Sequence, residues 1–480
     1  MQALRHWSVR HARGLARLYD VCARVAPRFA PLVSLIGAKR ADRAIRPVER
    51  LAKQMFFDCK MCGQCVLSST GMSCPTNCAK EMRNGPCGGV RENGHCEVDP
   101  AMRCVWVEAV SGIKQIGGTL PAQPASLLPI DRRLREQSTW ARVIANDIVP
   151  VRAAPAPAPV AAHAPQAFEQ VCRSGRFVVT AEVAPPDSPD PAALLAQARL
   201  FEGQVDAINI TDGAGGNCHM SSAAAAAILT ASGFTPVCQV ACRDRNRIAV
   251  QGDILGAAAL GVRNFLCLTG DDVSQGDHPQ AKPVFDLDAV SLLRIARTMR
   301  EQGTFASGRK LDAAPNLFLG ATANPFMPPY ADRIANLQLK VEAGAQFIQT
   351  QFCFDVKMLA DFMRAVRERG LHKHARIIVG VGTLSTAKAL RWMAHHVPGV
   401  HVPEEVTRRI AAASSQRAEG QKILIETMRA LADIEGVGGV HLMGHRNGEV
   451  LAEAIAASGL RTAFAGTPST IKLENQGACK

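Results

Sequence analysis

Cysteine is the residue type whose spacing in this sequence most clearly indicates chemistry. Eight of the sixteen cysteines fall within one short stretch: Cys59, Cys62, Cys65, Cys74, Cys78, Cys87, Cys96 and Cys104. The arginine-rich start of the chain has no apolar signal region, so we expect the reducing cytoplasm, where disulfides are rare. Eight free buried thiols would burden a small domain with reactive groups. The spacing therefore predicts that these cysteines bind metal.

Two metal chemistries fit the cysteine run. The spacing of Cys59, Cys62 and Cys65 resembles the opening of an iron–sulfur motif, in which three close thiolates and one distant thiolate hold a cluster. Eight thiolates would serve two 4Fe-4S clusters, and this is the preferred interpretation. Zinc sites more often contain separated pairs of cysteines, and zinc remains the alternative. The sequence does not determine how the eight thiols are partitioned.

A second set of candidate residues follows short apolar runs in the C-terminal two thirds of the chain. These candidates are Glu182, Thr211, Gln239, Thr269, Gly270, Asp271, Asn324 and Gln351, all polar except the glycine. Carboxyl and amide groups dominate the set and cations are few, which argues against phosphoryl transfer. No cluster of metal ligands occurs among them.

The apolar runs alternate with helical stretches. The runs are 176–183, 205–210, 235–241, 263–269, 316–321, 346–352, 376–381 and 438–443, with helices expected for example at 190–203, 219–232, 244–261, 330–344 and 356–369. Eight strand–helix units predict an α/β fold of the (β/α)8 TIM-barrel type, whose chemistry lies at the carboxyl ends of the strands. A doubly wound sheet is the alternative, but residues 184–187 (APPD) lack its glycine-rich turn.

Composition divides the chain into five zones. We predict a basic helical segment at 1–54, a cysteine-rich metal domain with an extension at 55–147, and a linker at 148–166, where alternating Ala and Pro exclude a helix. The barrel is expected at 167–470 and a tail at 471–480.

The formal charge of +13 is concentrated at the start of the chain. Residues 1–50 contain eleven Lys or Arg and three acidic residues, a net +8. This segment could contact an acidic partner, a membrane surface or RNA, or be a solvated helix packed on the next domain. Aromatic residues for base stacking are scarce, so we expect no nucleic-acid function. No stretch of eighteen apolar residues occurs, so no membrane span is expected.

Two stretches resemble a known family. Residues 168–470 resemble methylenetetrahydrofolate reductases, through TAEVAPP around Glu182, LTGD ending at Asp271, and TQF at 350–352. Residues 55–108, with CKMCGQC and SCPTNCAKEMRNGPCGG, resemble the cysteine-rich small subunit that accompanies this reductase in acetogenic bacteria. In this chain the two parts are fused.

The resemblance implies roles for individual residues. Glu182 would be the general acid that protonates folate N10 and opens the imidazolidine ring. Asp271 would bind the pterin and stabilise the iminium, and Gln351 would bind the pterin edge. The positions matching flavin contacts are Thr211, Gln239, Thr269, Gly270, Asp271, Asn324, Asn336 and Lys340. Three of these depart from the family pattern: Gln239 and Asn324 stand for histidines and Thr269 for an arginine.

The implied activity is hydride transfer that interconverts 5,10-methylenetetrahydrofolate and 5-methyltetrahydrofolate. The flavin would be FAD, with FMN as the alternative. The metal clusters would relay electrons, and the donor would be NAD(P)H, ferredoxin or a redox protein. A homo-oligomer is expected. The alternatives are a zinc-dependent folate methyltransferase on the same barrel, which needs no flavin, and a flavin-free reductase.

Overall fold

The computed structural model describes residues 2–117, 126–145, 147, 167–330, 333–397, 399–444 and 447–463. The chain forms two compact units. The first contains Met1–Pro86 and Asn93–Pro155, and the second contains Cys87–Glu92 and Ala156–Lys480. The predicted linker (148–166) and tail (471–480) lie outside the described residues, so the proposed domain boundaries remain predictions.

The second unit is a closed barrel of eight parallel strands in sequence order. The strands are β1 Val178–Val183, β2 Ala207–Ile210, β3 Pro236–Ala241, β4 Asn264–Leu268, β5 Phe318–Ala323, β6 Phe347–Phe352, β7 Arg376–Gly382 and β8 Val437–Met443. Each bound lies within two residues of the predicted run. The predicted TIM-barrel class is therefore confirmed.

One helix precedes β1 at the amino end of the barrel, and the others follow the strands. They are α7 Ala167–Ser174, α8 Ala192–Arg199, α9 Ser222–Ala231, α10 Arg247–Ala259, α11 Ala289–Gln302, α12 Arg333–Ala343, α13 Val356–Glu368, α14 Ala387–His396, α15 Glu404–Ala412, α16 Gln416–Ala432, α17 Gly448–Ser458 and α18 Leu460–Ala463. The helices expected from sequence are present but shorter; α10, for example, begins only after its N-cap Asn246, whose side chain accepts from two backbone N–H groups.

Two layers of apolar residues hold the barrel together. One strand face packs against the surrounding helices, and the other fills the interior. At the amino ends of the strands, Phe168 of α7 closes the barrel interior. The centroid of its ring lies 5.7 Å from that of Phe318 and 5.4 Å from that of Phe347. The amino end of the barrel is thus a packed core, so chemistry is confined to the opposite end.

In its described residues, the first unit contains six α-helices and irregular cysteine-rich loops. The helices are α1 Gln2–Arg10, α2 Ala12–Val25, α3 Ala30–Ile36, α4 Ala38–Phe57, α5 Val105–Ile116 and α6 Thr139–Ile144. Helices therefore cover most of residues 2–57. A Cβ on Gly112 would lie 1.9 Å from the Gly71 carbonyl oxygen, so only glycine permits this loop to approach α5. Over the described residues, no helix is long and apolar enough to span a bilayer.

Candidate functional site

Glu182 lies near the carboxyl end of β1, where two other strands present polar side chains to it. Gln239 of β3 donates from Nε2 to Glu182 Oε2 at 3.4 Å. His441 of β8 places Nε2 3.8 Å from the same oxygen. The Glu182 side chain is one-quarter exposed, whereas Gln239 and His441 are buried. The carboxyl group is therefore held from the protein side and accessible from the solvent side.

A buried polar chain lies behind Glu182. Thr180 Oγ1 is 2.9 Å from His441 Nδ1 and accepts from Gln349 Nε2 at 3.3 Å, and Gln349 also exchanges hydrogen bonds with Asn209. The contact of His441 Nδ1 with Thr180 leaves His441 Nε2 facing Glu182.

His441 is not among the site residues predicted from the sequence. The signal was available: Thr180, Asn209, Gln349 and His441 are polar residues inside apolar strand runs, and buried polar residues must find partners. Their meeting depends on strand register, with Thr180 directly opposite His441.

The turn after β4 fixes Asp271. Gly270 has φ +96°, and a Cβ there would lie 3.0 Å from Arg243 Cβ. Asp271 is exposed and accepts from the Gly215 backbone N–H at 2.8 Å through Oδ2. The Thr269 hydroxyl accepts from Ala289 N at 3.3 Å, at the start of α11. Asp271 is thus oriented by the backbone while its other oxygen remains available.

An irregularity in β6 presents Gln351. The pairing of β6 with β7 shifts register between Gln349 and Phe352. Gln351 Oε1 accepts from the Phe352 N–H at 3.0 Å, and its Nε2 makes no hydrogen bond within the described residues. Bulges of this kind commonly re-aim side chains at active sites. Gln351 therefore keeps a free amide donor near the carboxyl end of β6.

The residues expected to contact flavin differ in their availability. Thr211 Oγ1 is buried and has no hydrogen-bond partner among the described residues, so it could satisfy a ligand. Lys340 Nζ donates to the Thr322 carbonyl at 2.7 Å. Burial, followed by the charge of Arg333, lowers the pKa of Lys340 to about 8. Asn336 is buried on α12.

The side chain of Asn324, which follows β5, is hydrogen-bonded to backbone groups. Its Nδ2 donates to the carbonyls of Gly88 at 2.7 Å and Gly399 at 2.8 Å, and its Oδ1 accepts from Phe326 N at 3.1 Å. Arg333 donates to the Cys87 carbonyl at 2.7 Å. The short segment Cys87–Glu92 is therefore held at the β5 end by groups that include an expected flavin contact.

Four cysteines of the first unit line one cavity: Cys59, Cys62, Cys65 and Cys74. Lys53 and Glu49 line the same cavity and form a buried ion pair of 2.5 Å. Burial raises the pKa of Cys59 to about 11 and that of Cys74 to about 12. A metal would therefore have to displace thiol protons, and the Lys53 charge would offset the resulting negative charge.

Cys96 and Cys104 are joined by a small antiparallel turn. Cys96 N donates to Met102 O at 2.9 Å, and Cys104 N donates to Gly94 O at 3.0 Å. Burial, then the nearby Cys104, raises the pKa of Cys78 to about 12. Within the described ranges, no group of three or more His, Cys, Asp or Glu side chains has its atoms gathered for direct metal coordination. The ligand set of eight cysteines remains a prediction.

Replacing Gly270 with alanine should cost about 1–3 kcal/mol of stability, because the new Cβ combines positive φ with contacts to Arg243 and Ala241. Gly233→Ala is the matched control, since Gly233 has φ +86° with no atom within 4 Å of its Cβ position. Urea unfolding should show the larger loss for Gly270→Ala. Equal losses would mean that the close contact is unimportant.

Thr180→Val should destabilise the barrel by about 1–3 kcal/mol, because it leaves His441 Nδ1 and one Gln349 N–H buried without a partner. Thr230→Val is the control: that hydroxyl donates to a carbonyl of its own helix, and its loss should change stability by about 0.5 kcal/mol or less. Unfolding in urea measures both. A Thr180→Val protein as stable as wild type would contradict the hydrogen-bond chain.

Comparison with known proteins identifies the family. The family described as Methylenetetrahydrofolate reductase matches residues 167–459, and the family described as Methylene-tetrahydrofolate reductase C terminal matches residues 38–125. A curated Caenorhabditis elegans relative, the probable methylenetetrahydrofolate reductase (NADPH), is 24% identical over 245 residues, which cover 50% of this chain and 34% of that protein. The chain therefore spans about a third of the length of that relative.

Two solved structures give weaker likenesses. One is an uncharacterized Clostridium thermocellum protein that binds two copies of 5-methyl-5,6,7,8-tetrahydrofolic acid, with 12% identity, 61% coverage of this chain, 98% of that chain and a TM-score of 0.44. The other is 2,3-dimethylmalate lyase, with 15% identity, coverages of 65% and 92%, and a TM-score of 0.34. Neither is close enough to bear on function. The Methylenetetrahydrofolate reductase family, in contrast, matches more than half of the residues. The chain belongs to the methylenetetrahydrofolate reductase family.

Proposed function

We propose that this chain interconverts 5,10-methylenetetrahydrofolate and 5-methyltetrahydrofolate by hydride transfer. The observation that carries the proposal is Glu182, which lies near the carboxyl end of β1 with one carboxylate oxygen near Gln239 and His441. A carboxyl group that is anchored on one side and open on the other suits a proton donor. Membership of the family supports this assignment.

Glu182 protonates N10 of the folate, so that the C–N10 bond breaks and a 5-iminium ion forms. The carboxylate left behind lies next to Gln239 Nε2 and His441 Nε2. At 3.8 Å the histidine contact is long, and it would strengthen as negative charge develops. Hydrogen bonds to the charged form favour release of the proton.

Asp271 and Gln351 orient the pterin and stabilise its charge. The free oxygen of Asp271 carries negative charge toward the iminium, while the Gly215 N–H fixes the other oxygen. Gln351 Nε2 is free to donate, and its Oε1 still has one lone pair, which matches the paired acceptor and donor of a lactam edge.

Flavin fits part of the site. The unpaired Thr211 hydroxyl and the exposed Gly270–Asp271 turn suit a polar cofactor edge, and Lys340 carries a charge below about pH 8. Bound FAD, or FMN, would supply the hydride. Asn324 is the residue that does not fit, because protein carbonyls use both of its amide protons. We therefore assign Thr211, Thr269, Gly270, Asp271, Asn336 and Lys340 to cofactor binding, with Gln239 behind Glu182.

The cysteine-rich segment would hold iron–sulfur clusters and exchange electrons with NAD(P)H, ferredoxin or a redox protein. The cavity shared by Cys59, Cys62, Cys65 and Cys74 supports one four-thiol site. The buried Lys53 beside it favours a negatively charged ligand set. Zinc, with the same thiolates, is the alternative metal.

A flavin-free reductase is the second candidate function. It is favoured by the hydrogen bonds of both Asn324 amide protons to backbone carbonyls. Such an enzyme would pass hydride directly from a nicotinamide to the iminium carbon, with Glu182, Asp271 and Gln351 in the same roles.

Protein purified anaerobically tests the activity. Its flavin is first reduced, 5,10-methylenetetrahydrofolate is added, and the return of oxidised-flavin absorbance is followed. Glu182→Gln should slow this return about 10²- to 10⁴-fold without changing the flavin content, since the amide cannot protonate N10. Glu404→Gln, at an exposed carboxylate of α15, is the control and should react like wild type.

Other results would redirect the assignment. Reduced flavin that ignores the folate contradicts the proposed substrate. Protein that contains no flavin but oxidises NAD(P)H with the folate supports the flavin-free reductase. Zinc without flavin, together with methyl transfer to a thiol, would instead indicate a methyltransferase.

Metal content is tested with Cys62→Ser. Iron and acid-labile sulfide should fall by about half, because one of two four-thiolate sites loses a ligand. Cys22→Ser is the control: this exposed cysteine lies outside the cluster, and the variant should keep its full iron content. Zinc in place of iron in wild-type protein would overturn the iron–sulfur assignment.

A further inference from the structure

Exposed apolar side chains are concentrated at the start of the chain. Among the described residues, seventeen large apolar side chains are exposed, and twelve of them lie within residues 4–55. The other five are scattered over the remaining chain. Single exposed apolar residues are common, whereas a concentration of them marks an interaction surface.

Seven of these side chains form a series with helical spacing. They are Leu18, Val21, Val25, Phe29, Leu32, Leu35 and Ile36, which we call the apolar stripe. The stripe runs along α2, a single turn of 3-10 helix at Ala26–Phe29, and α3. Steps of three and four residues put side chains on one face of a helix. Leu35, at 83% exposed, is the least covered.

The fully buried residues of α2 are small, and several of its large apolar residues are exposed. Its buried residues are Ala12 and Ala16, which pack with Phe57, Leu67 and Met72 in the core of the first unit. The larger Leu18, Val21 and Val25 point outward. Ala12 and Ala16, with the partly buried Leu15 and Tyr19, thus attach the helix, while Leu18, Val21 and Val25 remain exposed. Burying the exposed apolar surface would be favourable, by roughly 25 cal/mol for each Å² of apolar area removed from water.

The charge around the stripe is positive. Arg17, Arg24 and Arg28 are exposed and form no ion pair within the described part of the chain. Of the three acidic residues in 1–50, Glu49 is buried against Lys53, which leaves only Asp20 and Asp42 near the surface. Residues 1–37, which contain the stripe, lie outside both family matches.

We propose that the apolar stripe and its arginines bind the chain to an anionic lipid surface. A helix with Leu, Val and Phe on one face and arginines beside it lies in the plane of a membrane interface, with its apolar face among the acyl chains. Such a helix needs no spanning segment. A second copy of the chain is a poor occupant, because two net +8 segments would repel each other. An acidic protein would satisfy the arginines, but it would have to supply an apolar groove seven side chains long.

The test uses the full-length protein and flotation with vesicles of phosphatidylcholine, with or without phosphatidylglycerol. Wild type should float with the anionic vesicles and not with the neutral ones, and high salt should weaken binding. The double substitution Leu32→Ser with Leu35→Ser should weaken binding about tenfold or more. Arg24→Gln with Arg28→Gln should weaken binding and reduce its salt dependence.

The matched control is Ile248→Ser. Ile248 is 78% exposed on α10 in the second unit. The substitution therefore removes a similar exposed side chain outside the stripe, and binding should be unchanged. Failure of wild type to float with anionic vesicles in low salt overturns the proposal. Retention on an acidic polypeptide without flotation would assign the stripe to a protein partner instead. A shift from dimer to monomer in the leucine variant, measured by light scattering, would assign it to self-association.

Discussion

Closure of the eight parallel strands is the constraint on which the site depends. Each strand of a parallel barrel runs in the same direction, so all carboxyl ends meet on one rim. Residues from strands at opposite ends of the sequence are thereby brought together, as β1 and β8 are through the pairing of Thr180 with His441. The apolar packing around Phe168 fills the other end of the barrel. The geometry of Glu182 follows from that closure rather than from its local sequence.

Between the apolar core and the rim lies a layer of polar side chains. Asn209, Gln349, Thr180 and His441 are buried, and each satisfies its neighbours, which is the condition for tolerating polar groups in a barrel interior. This layer has a chemical consequence, because it holds the His441 ring with Nε2 facing Glu182. The orientation of this ring is thus set by Thr180 rather than by the carboxylate.

The first unit uses burial differently. Its cysteines are buried enough for the pKa of Cys59 and Cys74 to be raised, so the thiols are protonated near neutral pH and metal binding must release protons. Lys53 is held in the same cavity by Glu49, which in turn accepts from Ser138 and from the Trp140 backbone. A buried cation beside four thiols is an electrostatic arrangement that favours thiolates. Outside this core, the same unit leaves large apolar side chains of α2 and α3 in water.

The sequence by itself predicted the barrel, because eight apolar runs alternate with helical stretches and residues 184–187 lack the glycine-rich turn of a doubly wound sheet. It also determined the candidate groups at the strand ends, including Glu182, Asp271 and Gln351, and the eight-cysteine run. Only the tertiary structure decided which groups meet. His441 reaches Glu182 through strand register, and Asn324 donates to the carbonyls of Gly88 and Gly399. Neither contact can be read from the local sequence. Helical periodicity likewise places Leu18 and Val21 on one face, but whether a face is covered depends on what packs against it, which distant parts of the chain decide.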